Sequence, residues 1–170
     1  MRRLKKCTAT LLGTLFILTA GQTAAYAGTW TQAENGAYQY INDDGSRASG
    51  WLESDGKWYY LDESGWMKTG WIEDQDRWYY LSESTGEWIP APPINEKTAA
   101  HLVENALADA GLFQDEENLD VRVSSVTKTT VTVTVGVIDR PQSFRGFAQY
   151  NIDRKTRKAE DSYGREGFKV

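Results

Sequence analysis

The sequence has one cysteine, one histidine, four prolines and no long apolar run after Ala27. Each shortage excludes something. Cys7 is alone and precedes the apolar run, so neither a disulfide framework nor a lipid-anchoring cysteine after that run is expected. With His101 the sole histidine and no cysteine beyond Cys7, a His-rich zinc site and a Cys-His nucleophile pair both fail by counting. His101 falls on a predicted helix and reads as a satisfied or solvent-facing side chain rather than a base or ligand. No catalytic residue, metal or cofactor is assigned. The opening "MRRLKK", the run "LLGTLFILTA" and the small-residue site "AYA" read together as a secretory signal peptide over residues 1–27. The run is too short to span a bilayer, so no transmembrane segment is expected and the mature chain should begin near Gly28.

Basic charge is also scarce. Without Arg2, Arg3, Lys5 and Lys6 the chain holds 15 basic against 24 acidic residues, a net charge of −9, which makes nucleic acid a poor partner for this secreted chain. Tryptophan is abundant, and all seven lie between Trp30 and Trp88. Composition divides the remainder into an aromatic repeat region over 28–89, a proline-rich linker over 90–94 and a second domain over 95–170.

Gly50-Trp51 recurs as Gly70-Trp71, and Trp58-Tyr59-Tyr60-Leu61 recurs with the same period as Trp78-Tyr79-Tyr80-Leu81. A fainter copy upstream holds Gly36, Tyr38, Tyr40, Ile41 and Gly45. Trp30 before Trp51 and Gly86 after Gly65 each fall one position outside that period, the end irregularities usual in repeat arrays. In "WLESDGKWYYL" the pair Asp55-Gly56 separates two aromatic runs, which predicts a hairpin with a two-residue turn at positive φ. In the next copy Asp76 replaces the glycine and still tolerates that conformation. The turn sets the register: Ser54 faces Lys57, Glu53 faces Trp58, Leu52 faces Tyr59 and Trp51 faces Tyr60. Pleat alternation then puts Trp51, Trp58 and Tyr60 on one face and Leu52, Tyr59 and Leu61 on the other.

The stretch "GWLESDGKWYYLDESGWMKTGW" resembles the cell-wall-binding repeat of the choline-binding protein family, matched at Gly50, Trp51, Gly56, Trp58, Tyr59, Tyr60, Leu61, Gly65, Met67, Thr69, Gly70 and Trp71. The resemblance covers residues 28–90. It implies stacked hairpins forming a left-handed β-solenoid that grips quaternary ammonium groups of wall teichoic or lipoteichoic acid. Carried over residue by residue, it implies a cage of Trp51, Trp58 and Tyr80 with Met67 as apolar neighbour. A second cage would be Trp30, Tyr38 and Tyr60, with Arg47 at the methionine position placing a like charge near the ligand. A third would begin with Trp71 and Trp78, where Trp88 is left to stand in for a closing tyrosine that no fourth repeat supplies. Tyr59, Tyr79, Leu61 and Leu81 read as packing residues by their face.

A quaternary ammonium carries no donor hydrogen, so it is held by π faces, each contributing about 0.5 to 2 kcal/mol. Three rings give a dissociation constant on the order of millimolar, so retention on a polymer needs several sites at once. Residues 28–90 carry 12 acidic and 4 basic side chains, which favours cations. The same rings suit stacking on a carbohydrate such as a glucan, and parity does not separate the two.

Beyond "IPAPPIN" the tryptophans stop. Asn95 can cap a helix whose apolar positions are Ala99, Leu102, Val103, Ala106, Leu107 and Ala110, with Gly111 as its stop. "LDVRVSSV", "TVTVTVGVI" and "GFAQYNI" alternate as strands, with a short fourth near Ala159 to Tyr163. This predicts a small α+β domain, one helix on a three- to four-stranded antiparallel sheet. It weakly resembles PepSY-like and cystatin-like secreted domains, from which no inhibitory activity is carried over. Asp115, Glu116 and Glu117 read as a solvated loop. The sequence thus predicts a secreted, cell-wall-associated, non-enzymatic protein that displays a domain of unidentified partner. A minimal wall hydrolase delivered by the repeats is the enzymatic alternative, since a glycosidase needs only two carboxylates.

Overall fold

The computed structural model of the chain describes residues 28–113, 116–140, 143–162 and 166–170. The signal segment expected over residues 1–27 lies outside them, as do Asp115 and Tyr163. Strands β1 (Thr29–Gln32) and β2 (Tyr38–Ile41), β3 (Gly50–Ser54) and β4 (Lys57–Leu61), and β5 (Gly70–Asp74) and β6 (Arg77–Leu81) form three separate antiparallel hairpins. The register of the second is the one the turn dictates, with Trp51 opposite Tyr60 and Ser54 opposite Lys57. Asp55 and Gly56 take φ of 51° and 71°, and Gln75 and Asp76 take 51° and 60°, so the third turn keeps its conformation without glycine.

The second and third hairpins are each followed by a short tail that joins them to the hairpin before. Lys68 N–H donates to Tyr60 O of its own hairpin, while Met67 N–H donates to Tyr38 O of the previous one, at 2.8 and 2.9 Å. One repeat later Ile89 donates to Tyr80 O and Trp88 to Trp58 O, at 2.9 and 2.7 Å. Leu61 and Leu81 are fully buried, as their packing face requires.

Helix α1 (Ala99–Asp109) packs on a five-stranded antiparallel sheet ordered β11-β10-β9-β8-β7, built from β7 (Leu119–Val126), β8 (Thr130–Arg140), β9 (Ser143–Asp153), β10 (Lys158–Asp161) and β11 (Glu166–Lys169). The sheet is larger than the three or four strands expected. The extra strand, β11, is short with Phe168 its sole large apolar side chain, too little alternation to read, and it is held by packing of Phe168 on Tyr150 at 4.8 Å. Alternation in β8 sends Val131, Val133 and Val135 into the core with Leu102, Val103 and Leu107. Asn95 opens the turn ahead of α1 by accepting from Lys97 N–H at 2.8 Å; the N-cap position itself is Thr98, not Asn95. Gly111, φ 66°, ends the helix with Gly111 N–H on Ala108 O and Leu112 N–H on Leu107 O.

The proline segment is clamped rather than free. Pro92 and Ile94 are buried, and their carbonyls accept from Arg157 and Arg154 at 2.9 and 2.8 Å. This places α1 directly against β6, and Trp71 packs at the edge of the helix-sheet core.

Candidate functional site

Two aromatic cavities open between successive hairpins. The first, about 220 Å³, is lined by Trp30, Tyr38, Tyr59 and Met67, with Ser84 and Thr85 at its polar side. The second, about 150 Å³, is lined by Trp51, Trp58, Tyr79 and Trp88. They are built from equivalent positions. The Gly-Trp tryptophan and the first ring of the next strand come from one hairpin. The middle ring of the Trp-Tyr-Tyr run and the tail residue come from the hairpin after it.

The ring geometry follows the same rule. Trp30 meets Tyr40 of its own hairpin at 5.3 Å and Tyr59 of the next at 5.0 Å, both edge-on. Trp51 meets Tyr60 at 5.3 Å and Tyr79 at 4.9 Å. Trp88 completes the second cavity at 6.0 Å from Trp51 and 6.2 Å from Tyr79. Edge-to-face pairs at these distances stabilise the stack and fix the Trp30 and Trp51 rings between successive hairpins.

Three of the expected positions are therefore corrected. Tyr80 and Tyr60 line neither of these two cavities; they pack within their own hairpins, Tyr80 at 5.1 Å from Trp71 and Tyr60 against Trp51. Met67 lines the first cavity, not the second. In a stack of like units the front of one hairpin meets the back of the next, so the closing ring comes from the face opposite to Trp58. Tyr59 and Tyr79, expected as packing residues, hold that place. Arg47, expected beside the first cavity, instead packs at Gly65, where an added β-carbon would come within 2.9 Å of its own.

Cavity mouths are open: Tyr38 is 40% and Trp58 41% exposed. Trp51 Nε1–H donates to Asp74 Oδ2 at 3.1 Å, and Trp30 Nε1–H to Ser54 Oγ at 3.2 Å. The carboxylate of Asp74 thus sits on the edge of the indole that lines the second cavity, where the first has a neutral hydroxyl. Lys57 bonds Glu87 at 2.9 Å across the stack, and that carboxylate holds the ammonium above its usual range.

The third tryptophan pair is differently surrounded. Trp71, Trp78 and Trp88 share a narrow cleft of about 100 Å³ with Arg77 and Asn105. His101 covers the Trp78 face, stacked at 3.9 Å with 27° between planes, and meets Trp71 edge-on at 4.9 Å. Trp71 Nε1–H donates to Lys97 O at 3.1 Å. Asn105 accepts from Trp78 N–H at 3.0 Å and donates to Trp78 O at 2.8 Å. Arg77 forms a two-pronged bond with Asp109 at 2.7 and 3.0 Å; each partner favours the charged form of the other, raising the arginine and lowering the aspartate. Lys97, His101, Asn105 and Asp109 follow the i, i+4 spacing, one stripe along α1 and the turn before it, visible in the sequence but not read there as an interface.

The model for the choline-binding repeat matches residues 28–69 and again 49–89. The choline binding domain of Spr1274 in Streptococcus pneumoniae is 41% identical, covering 37% of this chain and 94% of that one, with a TM-score of 0.34. CbpJ from Streptococcus pneumoniae TIGR4 is 32% identical over 44% of this chain and 25% of that one, TM-score 0.36. Choline binding protein F from Streptococcus pneumoniae is 18% identical over 83% and 42%, TM-score 0.39. The chain thus spans well under half the length of the last two. No curated protein matches it. The repeat model and the identity across nearly all of the Spr1274 domain decide the assignment: through residues 28–89, the chain belongs to the choline-binding repeat family.

Proposed function

We propose that the hairpins stack as a β-solenoid that attaches a secreted chain to choline-bearing teichoic or lipoteichoic acid, and that residues 95–170 are displayed from it as a non-enzymatic domain. The observation that carries this reading is the repetition of one cavity at two successive hairpin interfaces. The first is lined by three aromatic rings with Met67 and the second by four rings; each includes an exposed ring, and the segment is rich in carboxylates. A trimethylammonium headgroup fits such a site because it needs π faces and bulk negative potential but no hydrogen-bond acceptor. Glu53, Asp55, Glu73 and Asp76 lie at or beside the hairpin turns and add to that potential.

Two weak sites on one rigid stack gain through effective concentration what each lacks alone, provided the polymer presents its cholines at a matching spacing. The test is retention of the mature chain on a quaternary-amine resin and its release by free choline. The double variant Trp51→Ala/Trp30→Ala, which disables both cavities, should flow through. Retention on a glucan that choline fails to compete would replace this reading with carbohydrate stacking.

A further inference from the structure

We infer that Trp71 and Trp78 form a third cation site that is held closed from within, its place filled by His101 of α1. The inference rests on the choline reading for its ligand class, and on positional equivalence for its geometry. Three of the contacts by which one hairpin meets the hairpin before it are supplied to the third hairpin by the helix stripe. Trp30 and Trp51 give their indole N–H to Ser54 and Asp74 of the following hairpin, and Trp71 gives its own to Lys97 O. The carbonyls of Tyr38 and Trp58 accept from the tails Met67 and Trp88, and that of Trp78 accepts from the Asn105 amide. Tyr59 and Tyr79 stand 5.0 and 4.9 Å from the preceding tryptophan, and His101 stands 4.9 Å from Trp71.

His101 then does something the tyrosines do not. Its ring stacks on Trp78 at 3.9 Å with 27° between planes, whereas the equivalent rings of Tyr38 and Trp58 are 40% and 41% exposed. Its Nδ1 donates to Glu104 Oε2 at 2.7 Å, so a polarised N–H heterocycle occupies the space between the two indoles. A ring stacked on Trp78 and an ammonium on the same face are mutually exclusive. The array accordingly offers two cages to the wall, and the third secures the C-terminal domain.

The experiment is a choline titration of the ¹⁵N-labelled mature chain, following tryptophan side-chain resonances. In the wild type, signals of Trp51 and Trp58 should shift while those of Trp71 and Trp78 stay fixed, and the His101 ring protons should lie upfield from the stacked indole. In His101→Ala, Trp71 and Trp78 should begin to respond, about tenfold more weakly than Trp58 because the closing ring is gone. In His101→Phe they should stay fixed. A wild-type Trp78 that responds over the same range as Trp58 overturns the inference, as does a folded His101→Ala in which Trp78 stays silent while Trp58 responds. If His101→Ala does not fold, the wild-type and His101→Phe spectra decide by the same Trp78 criterion. Silence of every tryptophan would instead remove the choline reading, and with it the ligand assigned to this site.

Discussion

Tyr79 stands edge-on to Trp51 with ring centroids 4.9 Å apart, while its neighbour in the same strand, Tyr80, lies 5.1 Å from Trp71. Adjacent residues thus serve different interfaces, one between hairpins and one within its own. Tyr79→Ala should weaken choline binding at the second cavity by up to about 2 kcal/mol, or some thirtyfold, whereas Tyr80→Ala should act mainly on stability. Tyr79→Phe should retain binding, since the ring rather than the hydroxyl faces the cation. Choline titrations paired with thermal melts check all three.

Trp58 and Tyr59 are likewise neighbours that belong to different cavities. Trp58→Ala should abolish the tighter of two choline-binding phases, because its cavity has only aromatic walls and an indole tied to Asp74. Tyr59→Ala should abolish the weaker one, where Met67 and Tyr38 replace two of the tryptophans. The check is a two-site fit of tryptophan fluorescence; loss of the same phase in both variants would mean that the cavities do not act separately.

The hairpins, their register and the two faces of each strand are legible in the sequence because turn chemistry and period-two alternation are both local, and Asp55-Gly56 fixes them. Which face of the next hairpin closes a cage is a property of stacking, and no residue within one repeat encodes it. Alternation therefore separates Tyr79 from Tyr80 but leaves open which of them faces a ligand. His101 is legible as a helical residue and illegible as a cage occupant, because its partners Trp71 and Trp78 lie on two strands, β5 and β6, far back along the chain. The fifth strand escapes for the opposite reason: so short a segment carries too little pattern to stand out without the neighbour that pairs with it.

Gly86 joins backbone strain to one cavity. Its φ is 73°, and a β-carbon there would come within 2.5 Å of Met67 Sδ. Gly86→Ala should cost about 1 kcal/mol for the left-handed backbone. By pushing Met67, it should also alter choline binding at the cavity of Trp30 while sparing that of Trp58. Urea denaturation and site-resolved titration measure the two effects separately.

The Arg77 and Asp109 pair predicts a small acid sensitivity of the interface between hairpin and helix. Asp109 is held below its ordinary value of 3.8 by the hydrogen bonds from Arg77, so the folded state binds fewer protons than the unfolded one in that range. The pair's stabilisation is complete above the ordinary value and is lost as pH falls through the depressed one. With side chains 46% and 58% exposed, solvent screening keeps the pair weak. Its contribution should be about 0.5 kcal/mol. Asp109→Asn should flatten this part of the stability profile below about pH 4, measured by denaturation at stepped pH.

Asn105 carries the sharper test of how the helix joins the array. Its amide pairs with both the N–H and the C=O of Trp78, at 3.0 and 2.8 Å, so Asn105→Ala strands two backbone groups at a half-buried interface. The expected loss is about 1 to 3 kcal/mol, a fall of several degrees in Tm for a chain of this size. Asn105→Asp should be no better: it keeps an acceptor for the Trp78 N–H but sets a carboxylate oxygen against the Trp78 carbonyl. Both variants should leave the choline response of Trp51 and Trp58 intact, because the second cavity draws on no atom of α1. A Tm unchanged in Asn105→Ala, with the Trp78 indole signal where it is in the wild type, would mean that the stacked His101 ring alone fastens the helix to the third hairpin.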